Sequence, residues 1–362
     1  MKIGIDTKNY GLHQGGIFNA TFAPLTGLIK SKRDWEFLAI GPEAGCRWFT
    51  GQPNVQSCLV ELPAIKYGGY LYNFTRFPYR LPKGLDGFYS PYYDLWLPKD
   101  LPQVITIHDL VYFLQPEGYN PLLLAYYKRI ANRNGALAKA VITVSESSRR
   151  DILTHLGLPE DKVVVIPNSI DPQWLSPVQK TGWGEAVAAR FKDQALLLYP
   201  GGLERRKNLG RLLEAVALLP EGYCLVLTGN PAQYRKAHPR LVHLEKKGRA
   251  WLPGFLSSQE LRELYGLSQA VVYPSLLEGF GYPMIEAMAT RKPLACSNAS
   301  CLPEIGGDYP IYFDPKSPAQ MAEAMLEAAG KTIHPNFVFP EKYRLEHNQP
   351  QFIQLFERIF GL

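Results

Sequence analysis

Short aliphatic, β-branched runs alternate with amphipathic stretches along almost the whole chain, and this alternation limits the open folds more than any other feature. Runs at 2–6, 37–40, 104–107, 141–144 and 163–166, and again at 195–199, 224–228, 270–273, 293–297 and 311–313, have the length and make-up of buried strands. Apolar residues at helical spacing occupy 18–29, 123–133 and 146–156, then 209–218, 258–267, 284–290 and 318–328. Strand, crossover helix, strand is the rhythm of a parallel sheet with helices on its faces. At 362 residues the chain exceeds what one hydrophobic core serves, so two doubly wound α/β units are expected. The stretch 167–192 lacks strong periodicity, as a linker with a connecting helix would. It sets the expected boundary near Thr181, giving units 1–180 and 181–350, with an apolar helix over 351–362 packing back on the first. Ligand sites at the carboxyl ends of both sets of strands would then face one another across a cleft.

Composition narrows the function by exclusion. The formal net charge of +6 is mild for this length and contains no run of five or six like charges, so nucleic acid is not an expected partner. Weak attraction to anionic lipid or a phosphorylated ligand stays open. Five cysteines in no metal-binding spacing fit a reducing compartment. Residues 1–6 read as a strand and not as a secretory leader, and no apolar run is long enough to span a bilayer. The chain is therefore expected in the cytoplasm, with at most peripheral contact at the inner face of the membrane. Residues 67–96 are rich in aromatics, among them Tyr67, Tyr70, Phe88, Tyr93 and Trp96, with Lys66, Arg76, Arg80 and Lys83 interleaved. Such a stretch suits core packing, sugar stacking or anionic headgroups.

Two segments carry chemistry. In Tyr273-Pro274-Ser275-Leu276-Leu277-Glu278-Gly279-Phe280-Gly281-Tyr282-Pro283-Met284-Ile285-Glu286 a strand ends, a glycine-rich loop follows, and a proline stands where a helix begins. Gly279, Phe280 and Gly281 let a ligand approach the backbone, and the helix start aims N–H groups and positive dipole at an anion such as a diphosphate. Glu278 in the loop and Glu286 in the first turn offer carboxylates to sugar and ribose hydroxyls. In Tyr199-Pro200-Gly201-Gly202-Leu203-Glu204-Arg205-Arg206-Lys207-Asn208, another strand end, three cations collect beside a helix start, with arginine offering phosphate a planar fork and lysine a compact charge.

Together these segments resemble the retaining glycosyltransferases of family GT4, which have the GT-B fold of two Rossmann-like domains. Glu278 and Glu286 match the E-x7-E pair of that family, and Gly201 to Asn208 resemble its phosphate-binding motif. In the first half the likeness continues through Thr106-Ile107-His108-Asp109-Leu110, Val144-Ser145-Glu146-Ser147 and Val165-Ile166-Pro167-Asn168, while Gly15-Gly16 match a glycine pair near the donor phosphates. The resemblance implies that Arg206 and Lys207 neutralise the diphosphate, Glu286 holds the ribose, Glu278 meets the transferred sugar, and His108 lines the sugar site. Ser169 and Arg291 depart from the pattern, each standing where glycine is common.

Many glycosyltransferases hold a divalent metal through Asp-x-Asp, a pattern missing from this sequence, so neither metal nor other cofactor is expected. The expected reaction is transfer of a hexose from a nucleotide-diphosphate sugar, GDP-mannose or a UDP-sugar, to a saccharide or lipid-linked acceptor in surface-polysaccharide synthesis. A sugar-nucleotide epimerase on the same plan and a non-catalytic nucleotide-sugar binder are the competing expectations. A nicotinamide oxidoreductase fits less well, because G-x-G-x-x-G does not follow the first strand.

Overall fold

A computed structural model describes residues 1–8, 10, 16–60 and 81–361, and the chain divides into two compact units. The first comprises Met1–Ser169 together with Glu341–Leu362, and the second Ile170–Pro340.

The first unit contains a seven-stranded sheet of β1 (Lys2–Asp6), β2 (Glu36–Gly41), β3 (Val55–Leu59), β4 (Gly87–Ser90), β5 (Gln103–Thr106), β6 (Ala140–Thr143) and β7 (Val163–Val165). All pairings are parallel and the order is β3-β2-β1-β4-β5-β6-β7. Its central strands β4, β5 and β6 are buried throughout, as helix-covered parallel strands are. The helix Leu345–Phe360 adds Phe352, Leu355, Phe356 and Phe360 to the core under β1 and β4, with the Tyr89 ring edge-on to Phe352 and Phe356. It packs against the helix Gly16–Ser31, where the Gln349 side chain fills the space beside Gly27 and donates to the Ala23 carbonyl at 3.2 Å.

The second unit contains β8 (Ala195–Tyr199), β9 (Tyr223–Thr228), β10 (Ala250–Gly254), β11 (Ala270–Tyr273), β12 (Leu294–Ser297) and β13 (Ile311–Phe313), parallel in the order β10-β9-β8-β11-β12-β13. Both sheets therefore reverse winding direction beside their first strand, between β1 and β4 and between β8 and β11. In open α/β sheets that reversal opens a crevice at the strands' carboxyl ends.

The unit boundary falls at 169/170 and not at the expected 180/181. Residues 170–181 already belong to the second unit because their side chains and carbonyls are used there. The Trp174 ring stands edge-on to Tyr265, Arg262 donates to the Ser176 carbonyl at 2.7 Å, and the Thr181 hydroxyl donates to Glu263 at 2.9 Å. The return crossing at 340/341 likewise precedes the expected 350/351, and the terminal helix begins at Leu345. Of the described aromatics in that stretch, Phe88, Tyr89 and Tyr93 are buried and Tyr92 and Trp96 pack half-buried against the core, while residues 61–80 lie outside the described residues. Among the described residues no helix is long and apolar enough to cross a membrane. All five cysteines are free thiols.

Candidate functional site

In the second unit the switch point is built from the loops that follow β8 and β11. After β8 the chain runs through one turn of 3-10 helix, Arg205–Lys207, and reaches Asn208 in the left-handed conformation at φ 60. Asparagine tolerates that region better than most residues, and its buried side chain donates to the carbonyls of Pro274 at 3.0 Å and Pro315 at 2.7 Å. Leu276 N–H then donates to the Arg206 carbonyl at 2.7 Å, tying the loop after β11 to the loop after β8. The backbone thus fixes two sequence-distant segments side by side.

Their charges meet as a result. Arg206 donates to Glu278 Oε2 at 2.5 Å and to the Leu277 carbonyl at 3.2 Å, while Lys207 Nζ donates to Glu278 Oε1 at 2.7 Å. Lys207 also lies 5.5 Å from the centroid of the Tyr273 ring. Glu278 is 7% exposed, against 20% for Arg206 and 14% for Lys207, so the carboxylate is the inner member and the cations the outer ones. Burial pushes the Glu278 carboxyl up, but Lys207 and Arg206 outweigh it and hold the group below the usual glutamate range. Two cations around one carboxylate leave a net positive charge in a nearly dry place, where it attracts an anion more strongly than in water.

Beyond Glu278, Gly281 takes φ 103 as N-cap of the helix Tyr282–Ala289, with Pro283 in its first turn. Phe280 is buried with its ring against Tyr282, so it supports the loop from within. Glu286 receives the Tyr265 hydroxyl at 2.6 Å. Burial pushes its carboxyl up to about 7, and the Tyr265 hydrogen bond pulls in the opposite direction. Arg291, the departure just after this helix, does adopt a glycine-like φ of 55, and its guanidinium donates to the carbonyls of His334, Pro335 and Phe337. Ser169, the other departure, is not among the positive-φ residues.

In the first unit His108 stands just past β5. One ring nitrogen, Nε2, lies 3.0 Å from the Pro91 carbonyl, which only accepts. Burial lowers the imidazole pKa, so at neutral pH the ring is uncharged with its proton on Nε2, and Nδ1 is its acceptor. Gly16 is the first residue of the helix Gly16–Ser31, with open space where a Cβ would be; Gly15 lies outside the described residues. At the switch point of this unit stands a cluster that sequence reasoning passed over. Lys8 pairs with Asp94 and lies 3.9 Å from Asp6, and Ser90 donates to Asp6 at 3.1 Å. All three charged side chains are at most 8% exposed, and burial raises the Asp6 carboxyl against the pull of Lys8. Nothing in local spacing pairs Lys8 with a residue so distant in sequence, and the same holds for Tyr265 and Glu286. Among the described residues no group of three or more His, Cys, Asp or Glu is placed to hold a metal ion.

Comparison with known proteins turns this geometry into a family. Residues 185–335 match the family model for glycosyl transferases group 1, and residues 85–174 match that for glycosyltransferase family 4. The chain belongs to the GT4-type glycosyltransferases. Among relatives of this GT4-type chain, the O-antigen chain mannosyltransferase B of Escherichia coli is 29% identical over 65% of the chain, and the match spans 63% of that protein's length. The fold is GT-B. Sucrose-phosphate synthase from Thermosynechococcus elongatus superposes with a TM-score of 0.75 at 18% identity, covering 99% of both chains. Anabaena HepE in complex with UDP-glucose superposes at 0.71 and 18% identity, covering 99% of this chain and 100% of that one.

Proposed function

We propose that this chain is a retaining, metal-independent glycosyltransferase that moves a hexose, mannose from GDP-mannose before a sugar from a UDP donor, onto a saccharide or lipid-linked acceptor of a surface polysaccharide. We place it in the cytoplasm, peripheral to the inner face of the membrane. One observation carries this reading: Arg206 and Lys207 clasp the buried Glu278 carboxylate at the carboxyl ends of β8 and β11, beside a glycine-rich helix start. Family membership supports glycosyl transfer, and the name of the E. coli relative favours mannose as the sugar.

The chemistry follows from where charge develops. As the bond from the anomeric carbon to the phosphate oxygen breaks, positive charge grows on the sugar and negative charge on the leaving diphosphate. Arg206 and Lys207 are fixed donors for that negative charge, in place before the reaction begins. The acceptor hydroxyl attacks from the face the diphosphate is leaving, its oxygen bonds to the anomeric carbon, and its proton passes to the departing phosphate oxygen. Glu278 steadies the cations and meets the sugar hydroxyls, Glu286 accepts from the ribose, and His108 Nδ1 accepts from a sugar hydroxyl.

A thermal-shift panel of GDP-, UDP-, ADP- and TDP-sugars tests the reading. At about one hundred times its Kd a donor stabilises the protein by roughly 2.7 kcal/mol through mass action. GDP-mannose should give the largest rise in Tm, undiminished by EDTA. A panel in which no nucleotide sugar shifts Tm would overturn the proposal, and a shift abolished by EDTA would overturn metal independence.

Glu286 makes donor binding depend on pH. Its carboxyl sits near 7, only the ionised form accepts from both ribose hydroxyls, and a nucleotide-diphosphate sugar has no phosphate group titrating there. Affinity should therefore increase as pH rises through 7, by about tenfold between pH 6 and pH 8, and level off above. Glu286→Gln should bind more weakly at pH 8 and show a flat profile by calorimetry. A sloped profile in that variant would assign the titration elsewhere.

A further inference from the structure

Ser300 stands in the loop between β12 and the helix Leu302–Gly306, and it belongs to none of the segments from which the donor site is built. Its backbone is in the left-handed region at φ 60, which serine seldom enters. Strain of this kind persists only where the surroundings hold it, and it collects at functional sites. Here the surroundings are Glu278. The Ser300 hydroxyl donates to the Glu278 carbonyl at 2.6 Å and accepts the Glu278 N–H at 3.2 Å, so one side chain satisfies both backbone groups of a single residue. The adjoining Cys301 thiol donates to the Phe280 carbonyl at 3.3 Å, and the Ser297 hydroxyl accepts the Ala299 N–H at 3.1 Å inside the same loop. The loop after β12 is thereby splinted to the loop after β11 at the residue whose carboxylate lies between the cations.

We propose that Ser300 is the positioning residue for Glu278: its hydroxyl fixes the backbone of that residue so that the carboxylate stays between Arg206 and Lys207 and leaves them aimed at a diphosphate. This deepens the donor-site reading and rests on it. Without the hydroxyl the Glu278 backbone loses the partner of both its polar groups and gains freedom between the tethers at Leu276 and Phe280, and small displacements at such a site cost rate more than affinity. The left-handed backbone is the means of bringing the hydroxyl to bear on both polar groups at once.

Three variants separate the hydroxyl from the strain. S300A keeps the unfavourable backbone and loses the hydroxyl; S300G relieves the backbone and also loses the hydroxyl; S300T keeps a hydroxyl. Hydrogen exchange over residues 276–281 should speed about tenfold in both S300A and S300G, with the helix Leu209–Leu218 unchanged, whatever the protein's reaction is. Turnover of the donor selected by the panel should fall about tenfold in kcat in both, with KM nearly unchanged and partial recovery in S300T. S300G should melt no lower than S300A, so activity and stability part company. Unchanged exchange in S300A and S300G overturns the proposal. So does normal turnover despite faster exchange, or activity that follows Tm and returns in S300G. If exchange quickens but the wild-type protein turns over no nucleotide sugar, the donor reading fails, and the positioning role for it fails with it.

Discussion

Lys207→Ala lowers kcat at saturating donor by about a hundredfold or more, which is roughly 2.7 kcal/mol of lost transition-state stabilisation. Lys207 contributes in two ways. Its ammonium is one of two cations at the switch point and faces charge that exists in full only once the glycosyl bond has broken, so its removal weighs on kcat more than on KM. It also offsets the burial of Glu278, whose carboxyl then keeps Arg206 alone and titrates higher than in the parent. Lys207→Arg restores the charge but not the compact geometry, and recovers only part of the rate. Steady-state kinetics with the preferred donor check this, and near-normal kcat in Lys207→Ala would remove Lys207 from the mechanism.

Lys8→Met destabilises the first unit by about 3 kcal/mol, because it removes the buried ammonium that pairs with Asp94 and lies beside Asp6. Asp6, whose carboxyl burial already raises against the pull of Lys8, is pushed further toward its protonated form. For a unit of this size the midpoint falls by roughly 10 °C. The two units need not melt together, so the transition followed is that of the first, through hydrogen exchange of β1 and β4. An unchanged midpoint would mean that Lys8 contributes no net stability. The donor site of the second unit should keep its affinity for a nucleoside diphosphate in this variant.

Most strands were legible because a parallel sheet covered on both faces favours apolar and β-branched residues on both sides of each strand, and β5, β6, β8, β9 and β11 have aliphatic centres. The strands not foreseen lack that mark. β3 reads Val-Gln-Ser-Cys-Leu and is largely exposed at a sheet edge, β10 carries Pro253 and Gly254 at the other sheet's edge, and β4 is four residues inside an aromatic stretch. The boundary was missed for a related reason. Residues 170–181 have no periodicity, yet they are held by Arg262, Glu263 and Tyr265, partners far along the chain.

The candidate site divides along the same line. Arg206, Lys207, Glu278 and Glu286 could be found because strand end, glycine and helix start fall together locally. The groups that hold them could not: Asn208 grips Pro274 and Pro315, Tyr265 reaches Glu286, and Ser300 binds the Glu278 backbone, all across the fold. A polar residue that works through a distant partner has no spacing by which to be recognised. The one local hint was Asn208 directly after three cations, where a left-handed turn favours asparagine.

On the proposed function Arg206 and Lys207 hold a diphosphate. Calorimetric titration of GDP and of UDP into the wild-type protein and into Arg206→Ala/Lys207→Ala, at fixed pH with EDTA present, tests it most directly. One nucleotide should bind the wild type at a single site and bind the double variant at least about a hundredfold more weakly. Equal affinity in the two proteins, or no binding to the wild type, would contradict it.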